Sequence, residues 1–244
     1  VLTQSRLRQA AVAKFGEFAQ GMLFTPDGLE QATRLPVAAM HAQRFRDAGI
    51  ERIADLTCGI GADAMAAAAL GLDVLAFEID EATALIADHN LRHWDHARVV
   101  HADAMATLAA GRIDVDGLFA DPARRSARGR RHDPRDYTPP LDAVVALHER
   151  WPDMGIKVGP ALPHDAVPAG VEAQWVSVDG DVVELGLWWG RLARTPGHSA
   201  LVVSRETPHT LTGDPTPGDA GPLGEFMFEP DGAVIRAGLV GPLA

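Results

Sequence analysis

Cysteine occurs once in these 244 residues, at Cys58, so no internal disulfide can form, and such thiol scarcity fits a reducing cytoplasm. Lysine occurs only at Lys14 and Lys157, leaving arginine to carry nearly all the positive charge. No apolar run approaches the roughly 18 residues that a membrane span needs, and no charged-then-apolar secretory leader is read. A formal net charge of −11 argues against a surface that binds nucleic acid everywhere. The ten histidines are not read as a ligand set, so no metal is expected. Oligomeric state cannot be read. The start at Val1 and the closing Gly-Pro-Leu-Ala suggest a piece cut from a longer protein.

What is present is a globular composition, 47% hydrophobic and 23% charged, long enough for one α/β domain plus a smaller appendage. Periodicity predicts an amphipathic helix over 5–20, a turn at Phe24–Gly28, and a second helix over 29–48 with Pro36 as a kink or break. Strand and helix then alternate. Strands are expected at 52–58, 73–79, 97–101, 117–120 and 155–158, with helices at 62–70, 81–94, 104–110 and 141–149. That alternation means βαβ units and a parallel sheet covered on both faces. Asp179-Gly180 joins two strands, 171–178 and 181–189, as a tight hairpin. Beyond it come a strand at 200–204, a Pro/Gly-rich loop at 213–224, a short strand at 225–228 and a helix starting near Asp231.

The fold expected is therefore α/β and Rossmann-like: a mostly parallel seven-stranded sheet ending in an antiparallel hairpin, with N-terminal helices and a small C-terminal α+β extension. The expected divisions are a helical segment over 1–48, a nucleotide-binding domain over 49–196, and an extension over 197–244.

The chemistry concentrates after the first strand, in Asp55-Leu-Thr-Cys-Gly59-Ile-Gly61. Glycines at a strand-to-helix turn let the backbone approach a ligand closely. An ordinary tight turn would look similar. Gly59-x-Gly61-x-x-Ala64, with Glu78 downstream, also matches the dinucleotide pattern of an NAD-dependent oxidoreductase. Asp55 favours a different nucleotide. A carboxylate repels pyrophosphate but attracts the cationic amino group and sulfonium of S-adenosylmethionine. Glu78 closes the second strand, placed to accept from ribose hydroxyls, and Asp103 follows the third, placed to accept from an adenine amino group. Each acid alone is better explained as a solvated loop residue or a helix cap. Three such signals in register on successive strands favour the methyl donor. Thr57 and Cys58 within the turn, Ile79 and Ala104 beside the acids, and Asp121 complete the candidate donor set.

Together DLTCGIG, AFEID, HADA and GLFADPARR resemble the class I methyltransferases that occur, mostly in bacteria, joined to a C-terminal THUMP-like domain. The segments FTPDGLEQATRLPVAA and EPDGAVIRAG resemble that group too. The resemblance implies a tRNA or rRNA base as substrate. It also implies a THUMP-like part, truncated here, and places Gln31, Ala32 and Thr33 near the donor with Phe24 as a lid; the residues read equally well as a helix started by Thr25 or Asp27 with Gln31 on its surface.

Asp121-Pro122-Ala123-Arg124 stands where amino-methyltransferases keep an Asp/Asn-Pro-Pro-aromatic motif. Asp121 and the Pro122 carbonyl would accept hydrogens of an exocyclic amine, holding its lone pair in line with the methyl group. Ala123 replaces the second proline and Arg124 the stacking ring, although a guanidinium can stack on a base or grip a phosphate. Asp-Pro is also a common turn starter, and a non-catalytic RNA-binding module with this fold stays open. Six arginines between Arg124 and Arg135, Arg125 among them, would draw a phosphate backbone to the edge where strand-end loops gather. Lys157 on the fifth strand is a further substrate-side candidate, with ribose methylation ranked lower for want of a second lysine. Cys58 has no activating neighbour in sequence and is not read as a nucleophile.

Overall fold

The computed structural model describes residues 2–111, 113–124, 137–205, 207–218, 221 and 225–243, with Arg124 by its backbone alone. The chain divides into two compact units, Val1–Asp121 and Pro122–Ala244.

The first unit opens with α1 (Leu2–Phe15), which passes through Gly16, at φ +55°, into a 3-10 turn to Gln20. The helix expected over 5–20 thus starts earlier and tightens at its end. The helix expected over 29–48, kinked or broken at Pro36, is two helices, α2 (Pro26–Gln31) and α3 (Leu35–Asp47). Pro26 and Pro36 each sit in a first turn, where a fixed φ and a missing N–H cost nothing, so proline begins α3 rather than bending it. Thr25 caps α2 by accepting from Gly28 N at 2.9 Å.

The alternating part follows as β1 (Arg52–Asp55), α4 (Ala62–Ala69), β2 (Asp73–Glu78), α5 (Glu81–Leu91), β3 (Ala97–His101), α6 (Ala104–Ala109) and β4 (Gly117–Ala120). All pairings are parallel, in the order β3-β2-β1-β4. Ile53, Ala54, Val74, Ala76, Phe77, Leu118, Phe119 and Ala120 are buried in this sheet. Each large one contributes about 1.5–3 kcal/mol by leaving water. Alanine-rich α4 packs against α3 and β2, where small side chains on a good helix former permit close approach.

The second unit begins with the short ladder of β5 (Ala123–Arg124) and β6 (Tyr137–Thr138). Next come α7 (Leu141–Val145), β7 (Met154–Val158), β8 (Glu172–Val178) and β9 (Asp181–Trp188). The expected hairpin is present, with Asp179 at φ +50° and Gly180 at φ +91° in its turn. β10 (Gly197–Ser204) lies parallel to β8, and β11 (Thr207–Gly213) antiparallel to β10, giving the order β7-β9-β8-β10-β11. The seven expected strands are β1–β4 and β7–β9; β10 and β11 add two, drawn from residues expected in the extension. No strand forms at 225–228, where Phe226, Met227 and Phe228 are exposed. Asp231 caps α8 (Gly232–Arg236), and α9 (Val240–Leu243) follows. No helix among the described residues is long and apolar enough to cross a membrane.

Candidate donor site

Parallel pairing brings four acids to one edge of the first unit's sheet. Asp55 ends β1, Glu78 ends β2, Asp103 follows β3 and Asp121 follows β4. Ladder register fixes their alignment: Asp55 pairs with Ala76 and Phe119, and Glu78 with His101. Ligands of α/β sheets bind at this edge, outside the carboxyl ends of the strands.

The turn from β1 into α4 is built by backbone geometry. Gly59 takes φ +55° and Gly61 φ +89°, values that side chains disfavour. A Cβ on Gly59 would meet nothing within 4 Å, so space lies open above the turn, while one on Gly61 would approach α5 at Ala87. Gly61 N donates to Cys58 O at 2.8 Å and Cys58 N to Phe77 O at 2.9 Å, tying the turn to itself and to β2.

Asp55 is 2% exposed and accepts from Thr57 N at 3.1 Å. Burial pushes its carboxyl well above the usual carboxylate range, with the nearby charge of Asp63 adding to the shift. A cation brought beside it would restore the ionised form, and an anion would not. Glu78 accepts from Gly59 N at 3.0 Å through one oxygen and from Asp80 N at 2.9 Å through the other. Its carboxylate is therefore oriented with lone pairs to spare. Asp103 is exposed and caps α6, accepting from Ala106 N at 3.2 Å, while Ala104 is buried and Ile79 is 66% exposed. Thr57 Oγ1 accepts from Asp121 N at 2.7 Å and so fixes the start of the Asp-Pro motif. Cys58 is buried; desolvation and then the charges of Asp55 and Glu78 push its thiol up, keeping it protonated. The residues expected from sequence to hold the donor thus lie in one unit, around the carboxyl ends of its strands.

Substrate-side candidates fall differently. Pro122 is buried at the start of the second unit, Arg124 pairs through its backbone with Tyr137, and half-buried Lys157 lies opposite Gly186 on β9. Arg125 and the rest of the arginine cluster lie outside the described residues. Among the described residues no group of three or more His, Cys, Asp or Glu side chains is placed to hold a metal.

The N-terminal expectations divide. Phe24 is 1% exposed and packs on Phe15 at 5.6 Å between ring centroids, so it is a core residue and not a lid. Gln31 is exposed, whereas Thr33 is buried and donates to Asp63 Oδ2 at 2.6 Å. His41 Nδ1 meets the other Asp63 oxygen at 2.8 Å, and its ring lies 5.4 Å from Phe119. Asp63 and His41 escaped the sequence reading, and only Asp63's place in the first turn of α4 hinted at them.

The fold is that of the Rossmann-like class I methyltransferases. A crystal structure of a protein from Porphyromonas gingivalis W83 carrying a provisional methyltransferase name superposes with a TM-score of 0.75. It is 19% identical and matches 99% of this chain and 65% of its own, a likeness of fold. In sequence the chain is similar to an uncharacterized S-adenosylmethionine-dependent methyltransferase of Mycobacterium tuberculosis, known from strains CDC 1551 / Oshkosh and H37Rv. Identity to both is 33% over 247 residues. The match takes in 96% of this chain and 66% of the relatives, so the chain spans just under two thirds of their length. No family model matches.

Proposed function

We propose that this chain is an S-adenosylmethionine-dependent methyltransferase acting on an exocyclic nitrogen of a tRNA or rRNA base. The observation that carries the donor half is the buried Asp55 carboxylate beside an open glycine turn, flanked by Glu78 and Asp103 on successive parallel strands. Asp55 would face the amino-acid end, Glu78 the ribose hydroxyls, and Asp103 the adenine, with Thr57, Cys58, Gly59, Gly61, Ile79 and Ala104 shaping the walls. S-adenosylmethionine supplies an electrophilic methyl group on a sulfonium. The chain's part is to orient and desolvate, and Asp121 with the Pro122 carbonyl would accept the target amine's hydrogens. The RNA half is supported by the arginine cluster from Arg124 and by the sequence resemblance. On that resemblance alone, the residues after the hairpin belong to a THUMP-like domain.

Calorimetric titration with S-adenosylhomocysteine tests the donor reading. Wild type should bind at micromolar affinity, and Glu78→Ala should weaken binding about 100-fold, roughly 2.7 kcal/mol. Absence of binding by wild type would sink the reading. Transfer of labelled methyl to RNA, lost in Asp121→Ala, tests the acceptor.

A second reading draws on Ala123 and Arg124, which replace the second proline and the stacking ring. It is a non-catalytic RNA-binding module, selected if wild type transfers no methyl while Asp121→Ala keeps full RNA affinity.

A further inference from the structure

Asn90 lies near the end of α5 and is 2% exposed. A buried amide costs free energy unless its donors and acceptor are used, and here they are. Its Oδ1 accepts from Leu23 N at 2.8 Å, while its Nδ2 donates to Leu23 O at 3.1 Å and to Ile60 O at 2.8 Å. One side chain thus joins the N-terminal segment to the residue between the two positive-φ glycines. The side chain of that residue lies close against Gly28, where there is no room for a Cβ: one would come within 2.5 Å of Ile60 Cγ2. Further along, Lys14 Nζ donates to the carbonyls of Leu29, Glu30 and Ala32 at 2.8, 2.6 and 2.8 Å. Thr33 then holds Asp63 in the first turn of α4. Residues 23–33 are fixed to the glycine turn at Ile60 and to α4 just beyond it.

We infer that Asn90 is a positioning residue of the donor site, and that residues 23–33, which it anchors, are a brace for the glycine turn. The inference rests on the donor reading above. Glycines at positions 59 and 61 leave the turn free to take several backbone conformations, and that freedom must be lost before a ligand can use its shape. Asn90 removes it beforehand by fixing the Ile60 carbonyl. The benefit falls on the part of the ligand that meets the turn, its amino-acid end, and not on the adenosine, which the Glu78 and Asp103 side would hold.

Calorimetry with two ligands separates this from a general structural role. S-adenosylhomocysteine carries the amino-acid tail and 5′-methylthioadenosine lacks it. Asn90→Ala, shown to be folded by circular dichroism, should bind S-adenosylhomocysteine about tenfold more weakly and methylthioadenosine within about twofold of wild type. Thr33→Val, which removes the bond from the far end of the brace to α4 and leaves Asp63 to His41, should show the same split, and it decides the matter if Asn90→Ala does not fold. Unchanged affinity for both ligands, or equal loss for both, overturns the inference while leaving the donor reading intact. Wild type that binds neither ligand overturns both.

Discussion

The two units bury carboxylates with similar exposure and surround them differently. In the first, Asp55 is 2% exposed and takes one backbone N–H, from Thr57. In the second, Glu172 is 1% exposed and accepts from the backbones of Arg194 and Thr195 at 2.5 and 3.3 Å and from the Ser199 hydroxyl at 3.2 Å. Asp153 is similar, with Arg191 N at 2.7 Å on one oxygen and the Arg191 guanidinium at 2.8 Å on the other. Apart from Ser199 on β10, those donors come from the loop between β9 and β10, so these acids shape chain. Asp55 sits instead at a strand end beside open space, with its carboxyl pushed up by burial. Desolvation offset by a single backbone hydrogen bond marks a candidate functional group, and perturbed acids gather at functional sites.

The largest effect should come from Glu172→Ala. It strands two loop N–H groups and a hydroxyl, each worth about 1–3 kcal/mol when left unsatisfied, so a loss of about 3 kcal/mol is expected. Urea denaturation measures it, and affinity for S-adenosylhomocysteine should not move. A large drop in affinity with stability intact would break the contrast between the two acids.

Asp55→Asn should do the reverse. Stability at neutral pH should stay level or rise, because a carboxyl whose ionised form burial disfavours is replaced by a neutral amide, while affinity for S-adenosylhomocysteine falls about tenfold, roughly 1.4 kcal/mol. The pH dependence sharpens the point. A folded-state pKa above the unfolded one means that the stability contributed by Asp55 is complete at low pH and is lost as pH rises through the raised value. A cationic ligand prefers the ionised form, so affinity should strengthen over that same rise and a proton should be released on binding. Titrations in buffers of different ionisation enthalpy would detect the proton, and Asn at position 55 should abolish it.

The smallest effect concerns Thr25→Ala, which removes the cap of α2 and should cost about 1 kcal/mol of stability by thermal denaturation.

Much of the first unit was legible because its signals are local. β3 and β4 carry the boundaries expected from their apolar runs, and the glycine turn with its acids reads directly from spacing. The Asp-Gly hairpin was equally plain, since few residue pairs tolerate positive φ in succession. At Pro36 the sequence left a kink and a break both open, because proline is tolerated at a helix start and disruptive inside, and packing decided for a break with Pro36 in the first turn of α3. β11 was missed because an exposed edge strand with Pro208 carries little alternation of apolar and polar residues. At 225–228 the opposite error arose, an apolar triplet that pairs with nothing.

The sequence by itself determined the alternation of strand and helix from β1 to β4, the glycine turn, and the acids at the ends of β1 and β2 and just after β3, because each follows from composition within a few residues. Tertiary structure alone decided which buried polar groups serve one another. Asn90 reaches 67 residues back to Leu23 and 30 residues to Ile60, and Asp63 reaches 30 residues to Thr33 and 22 to His41. A hydrogen bond across such separations leaves no periodicity in the chain. It exists only once burial has removed water as the competing partner and packing has brought donor and acceptor within 3 Å.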